Sequence, residues 1–152
     1  MMENYNDGLT IAVDFDGTIV ENNYPSIGKP MLFAFETLKA LENEGHKLIL
    51  WTYRKGKELN EAVKFCRKNG IEFYAVNNDY PEEEFDPACS RKILADIFID
   101  DRNIGGFLGW SEIWQLLHPE SKKIEDMYVD FNAHVNYRKQ NSFLSKFKAI
   151  FQ

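Results

Sequence analysis

Leu9-Thr10-Ile11-Ala12-Val13-Asp14-Phe15-Asp16-Gly17-Thr18 is the stretch on which the fold turns. Leu9 to Val13 is a short β-rich apolar run, and Asp14 and Asp16 follow it directly. In an extended chain, residues two apart point the same way, so both carboxylates can face one site. Gly17 lets the backbone turn away sharply behind them. Two adjacent carboxylates repel, and burying them unpaired is costly. A shared proton, a basic partner or a divalent cation relieves the repulsion. Asp-Gly-Thr after a strand is also an ordinary turn, so the segment needs a second, independent observation.

Working outward, the same grammar recurs. A helix is expected after the acids, with Pro30 in its first turn, Met31, Ala34, Phe35, Leu38 and Leu41 on one face, and Gly45 as its stop. His46 to Trp51 reads as a buried strand ending at Thr52. A second helix over about Lys57 to Asn69 carries Leu59, Ala62, Val63 and Cys66 along one stripe. Ile71–Val76 and Ala95–Ile99 are the third and fourth strands, and Ser111–Leu117 is a short last helix before Pro119. Strands alternating with helices imply parallel βαβ units. The expected fold is therefore α/β: a three-layer, Rossmann-like parallel sheet with helices on both faces. Only about a dozen residues separate Thr18 from the first helix, and about as many separate Val76 from Arg91. Neither gap holds a substantial cap domain.

The fourth strand supplies the second observation, because it ends in Asp100-Asp101. That pair alone reads as a solvated turn. Together with Asp14 and Asp16, each pair closing an apolar run, it predicts carboxylates converging at the carboxyl edge of the sheet, where open α/β sheets bind ligands. An all-oxygen cluster of this kind suits Mg²⁺.

Composition limits the partners. The chain has 152 residues and a formal charge of −6. That charge argues against nucleic acid as the main partner, although a site without a cap leaves room for a polymeric substrate. Cys66 and Cys89 suggest no disulfide framework. The N-terminus has neither the basic nor the apolar region of a signal peptide, and no apolar run approaches the roughly 20 residues of a membrane span. A cytoplasmic location is expected. Residues 1–118 read as the catalytic domain and 119–152 as a C-terminal extension. Phe143, Leu144, Phe147, Ile150 and Phe151 fall there at helical spacing among Arg138, Lys139, Lys146 and Lys148. This amphipathic basic helix reads as docked on the acidic core, with self-association into a homo-oligomer as the next reading and a membrane or partner surface as the third.

Val13-Asp14-Phe15-Asp16-Gly17-Thr18 resembles the Asp-x-Asp-Gly-Thr signature of the haloacid dehalogenase-like superfamily. Leu48-Ile49-Leu50-Trp51-Thr52 resembles its second motif, and Phe98-Ile99-Asp100-Asp101-Arg102 its fourth. The likeness covers residues 9–102 and is nearest to small phosphatase-type members without a cap. It implies a Mg²⁺-dependent phosphomonoester hydrolase acting on a small phosphorylated substrate. Asp14 would form an aspartyl-phosphate, and Asp16 would serve as general acid and base. The metal would be held by Asp14, the backbone carbonyl of Asp16 and one of Asp100 or Asp101. Thr52 would bond a phosphoryl oxygen. Lys92, with Arg91 as its rival, would neutralise charge in the transition state.

Arg54, two residues after Thr52, reads as a solvated loop charge, with a contact to substrate as the second reading. His46, His118 and His134 lack metal-ligand spacing. Two other functions remain: a receiver-like phospho-switch, whose acid order differs, and a non-catalytic phosphate- or metal-binding domain, in which loss of one of these acids would be expected. Asp16 itself argues for phosphate esters over haloalkanoates, since a departing halide needs no proton.

Overall fold

A computed structural model describes residues 8–119. The basic helix assigned to the C-terminal extension lies outside the described residues. The chain divides after Asp100 into two compact units.

The first unit is built on four parallel strands: β1 (Thr10–Val13), β2 (Lys47–Leu50), β3 (Ala75–Val76) and β4 (Ile97–Ile99), in the order β3-β2-β1-β4. Helices α1 (Ala34–Asn43) and α2 (Gly56–Lys68) make the first two crossovers. Both crossovers step the same way across the sheet. The right-handed rule for parallel connections therefore puts both helices on one face. The rings of Phe35 and Phe65, one from each helix, meet at 5.9 Å. On the opposite face, the register neighbours Ala12, Ile49 and Ala75 are packed with Ile93, which arrives from the connection between β3 and β4. Among the described residues the architecture is a Rossmann-like parallel α/β fold without a cap.

The sheet strands are buried because they read apolar almost throughout: Ile11, Ala12 and Val13 of β1 and Leu48, Ile49 and Leu50 of β2 are all buried. A strand covered on both faces has no polar alternation to show. The third and fourth strands are shorter than their apolar runs suggest, although Tyr74 N–H donates to the Leu48 carbonyl and Asp96 N–H to that of Thr10, continuing the pairing past the strand ends.

One expectation is corrected. Pro30 does not open α1: it pairs antiparallel with Val20, and the helix begins at Ala34 after Phe33 takes a left-handed conformation (φ 62°). Residues 20–30 instead form a short excursion closed at its neck, with Glu21 N–H donating to the Lys29 carbonyl at 2.8 Å. The backbones approach so closely there that a Cβ on Gly28 would lie 1.9 Å from the Glu21 carbonyl oxygen.

Cys66 is fully buried in α2, and burial pushes its thiol up to about 12, whereas Cys89 is exposed. The thiolate is the reactive form. Ellman's reagent at pH 8 is therefore expected to titrate one thiol in the native protein and both after denaturation. Fast release of two equivalents from folded protein would contradict the packing of α2.

The second unit carries α3 (Trp110–Leu117), one residue longer at its start than the sequence suggests. Within it, the Phe107 and Trp110 rings meet edge-on at 5.8 Å, and Trp114 stacks on His118 at 3.6 Å. No helix among the described residues is long and apolar enough to cross a membrane.

Candidate metal and phosphate site

Chain topology selects the location. From β1 the chain passes to β2 on one side, while β4 pairs with β1 on the other. The β1/β4 edge is thus where the direction of winding reverses, and a crevice opens outside the carboxyl ends of such strands. Val13 and Ile99 are register partners, so Asp14 and Asp100 are the first residues beyond two level strand ends. Asp14 N–H donates to the Ile99 carbonyl at 2.9 Å, fastening them together. Neighbouring strands lie about 4.8 Å apart, which brings the two carboxylates together by backbone geometry alone. Asp101 follows by one peptide bond. Asp14, Asp100 and Asp101, all half-buried, each offer one oxygen, and these atoms lie within 4.8 Å of one another. Three carboxylates at that separation repel strongly unless a cation or proton intervenes. The donor set is all oxygen, as a hard divalent cation such as Mg²⁺ requires, so the residues present fit that ion.

The turn after β1 is tightly made. Gly17 has φ 87°, a conformation that side chains disfavour. The N–H groups of Ile19 and Val20 both donate to the Phe15 carbonyl. Thr18 is fully buried, and its hydroxyl donates to Asp14 Oδ2 at 3.1 Å. In the sequence Thr18 stands out only as part of a motif. Its role as a hydrogen-bond partner that orients Asp14 emerges from the fold.

Asp16 is not brought into the three-carboxylate group. Its carboxylate turns to Arg54, which donates from Nε to Oδ2 and from Nη2 to Oδ1, both at 2.7 Å. Arg54 is therefore no solvated loop charge: it is 1% exposed. The bond to Asp16 raises its already high pKa against the opposing effect of burial. Its guanidinium also donates to the carbonyls of Pro25 at 2.9 Å and Ser26 at 2.7 Å, and lies over the rings of Phe15 and Tyr24. A lone arginine in a loop carries no sequence signal of burial. Its nearness to Thr52 was the only available hint.

Thr52 lies just past β2, where its N–H donates to Asn77 Oδ1 at 2.8 Å and its Oγ1 accepts from Arg54 N–H at 3.2 Å. Both bonds leave the hydroxyl proton as a donor. Asn77 itself takes a left-handed conformation (φ 55°) just after β3, a state asparagine tolerates better than most residues. Lys92 is exposed, with Nζ 5.6 Å from the Phe98 ring centroid, and Arg91 lies over Phe85. Neither candidate for the basic role is shown contacting the acids. His46 is structural: its Nδ1 accepts from Leu9 N–H.

Neither a protein-family model nor a curated protein matches the sequence. A solved structure does: a conserved protein of Bacteroides thetaiotaomicron, 54% identical, superposes with a TM-score of 0.71 over 81% of this chain and 99% of that one. At that identity and coverage, the chain belongs to the same family as this Bacteroides thetaiotaomicron protein.

Proposed function

We propose that the chain is a Mg²⁺-dependent phosphomonoester hydrolase of the haloacid dehalogenase-like type, with Asp14 as its nucleophile. The observation that carries this reading is the meeting of Asp14, Asp100 and Asp101 within 4.8 Å at the reversal point of the sheet. Thr18 and Thr52 support it as neighbouring hydroxyl groups.

An oxygen of the Asp14 carboxylate attacks phosphorus while the bond to the leaving oxygen breaks. The electron pair stays on that oxygen, which takes a proton from Asp16. Water then attacks the aspartyl-phosphate, gives its proton to Asp16 and releases inorganic phosphate, regenerating the Asp14 carboxylate. The Thr18 hydroxyl donates to Asp14 Oδ2 and helps to orient that carboxylate. Thr52 donates to a phosphoryl oxygen. Asp14, Asp100 and Asp101 would hold Mg²⁺, with the Asp16 carbonyl as a further ligand; when bound, the ion offsets the repulsion between carboxylate and phosphate. The basic role remains with Lys92 in this reading, and substrate binding would have to draw it from its place over Phe98. A small phosphorylated metabolite is the substrate class.

Incubation with p-nitrophenyl phosphate and a panel of phosphorylated metabolites tests the reading. Hydrolysis is expected with Mg²⁺ and is expected to stop on adding EDTA and resume on restoring the metal. Hydrolysis of nothing on the panel, or full activity in EDTA, overturns it.

A further inference from the structure

The Arg54 guanidinium makes four hydrogen bonds to three residues. Two go to both oxygens of Asp16, and two go to the Pro25 and Ser26 carbonyls in the excursion over residues 20–30. Each partner alone has a bland explanation. A salt bridge would satisfy an acid near a strand end, and carbonyl bonds would tidy a loop. The combination restricts more. A planar guanidinium gripping a carboxylate by two parallel bonds fixes the plane of that carboxylate as well as its position. The Phe15 ring at 5.0 Å and the Tyr24 ring at 5.3 Å limit movement of the guanidinium.

We propose that Arg54 is the positioning residue for Asp16: it sets the direction in which that group, carrying its proton on a lone pair the guanidinium does not use, meets the leaving oxygen, and couples that direction to the 20–30 excursion. This rests on the phosphohydrolase reading and deepens it. Lysine cannot replace the fork, because an ammonium lacks the paired parallel donors. Loss of aim at a proton donor has a specific kinetic signature. A leaving group that departs readily as an anion needs little protonation, whereas an alkoxide needs a well-placed acid. Arg54 therefore matters in proportion to the basicity of the leaving group.

The test compares an alkyl phosphate with 2,4-dinitrophenyl phosphate in wild type, Arg54→Lys, Tyr24→Ala and Asp14→Asn. Arg54→Lys is expected to lower kcat/KM on the alkyl phosphate by about tenfold or more, part of what a general acid supplies. It is expected to change kcat/KM on the dinitrophenyl ester less than about twofold, because that ratio covers only the steps up to departure of the leaving group. Tyr24 is 54% exposed, so Tyr24→Ala should fold, and it is expected to shift the same ratio in the same direction by a smaller factor. It decides the matter if Arg54→Lys does not fold. A purely structural role slows both substrates alike in whichever variant folds, and that result overturns the inference alone, provided that wild type is active and Asp14→Asn is not. An inactive wild type, or an active Asp14→Asn, overturns the phosphohydrolase reading and this inference with it.

Discussion

Asp14→Asn is expected to lower turnover of p-nitrophenyl phosphate by at least ~10³-fold, as befits loss of a covalent nucleophile. The same substitution should make the metal-free protein more stable. Asp14 shares its 4.8 Å neighbourhood with Asp100 and Asp101, and two like charges about 4 Å apart repel by about 1 kcal/mol in water and more where solvent is partly excluded. The amide of the introduced asparagine keeps an oxygen acceptor for the Thr18 hydroxyl, so removing the charge sacrifices little of the local bonding. A gain of about 1 kcal/mol follows in EDTA. Saturating Mg²⁺ reverses the order, because the wild type gains binding energy that the variant has largely lost. Thermal unfolding of both proteins, with and without metal, reads this crossing directly. Unimpaired activity in the variant removes Asp14 from the chemistry. Parallel behaviour with and without metal removes the cation from the acid cluster.

The fold and this cluster were legible in the sequence for the same reason. β1 and β2 are continuous apolar runs because both faces of the sheet are covered, and polar residues appear only where each strand ends. Asp14 and Asp100 therefore announced themselves by position, each the first acid past an apolar run. That they are level with one another is a matter of register, Val13 against Ile99, and no single segment encodes it. The start of α1 was misjudged for a related reason: Pro30 suits a first helical turn locally, but its pairing with Val20 is a contact across the chain.

Arg54 shows the limit most clearly. Buried arginines are rare because the unpaired charge is so costly, and a charge beside Tyr53 and Lys55 in a polar loop reads as exposed. Tyr53 is indeed 95% exposed while Arg54 is 1% exposed. The difference comes from partners contributed by residues 16, 25 and 26, which only the folded chain brings near. Lys92 illustrates the converse. The resemblance alone gives it a place in the site, yet a motif position says nothing about the side chain's direction, and Nζ sits over Phe98.

Asp16→Ala is expected to destabilise the protein by about 3 kcal/mol, the lower end of the cost of breaking a buried ion pair. The loss comes less from the missing attraction than from what remains. The Arg54 side chain is 0% exposed against 17% for Asp16, so alanine strands a guanidinium that cannot reach water and has lost the carboxylate that gripped it. Bonds to the Pro25 and Ser26 carbonyls survive and moderate the penalty. Pairing the change with Arg54→Leu removes the stranded charge, so the double variant should recover part of the loss despite carrying two substitutions. Urea unfolding of the four proteins completes the cycle. A cost below about 1 kcal/mol for Asp16→Ala would be that of an exposed ion pair, and would mean that Arg54 can reach solvent once its partner is gone. A single variant less stable than the double is the result that only a sealed guanidinium produces, and it would show that this site holds its acid with a charge the protein cannot easily do without.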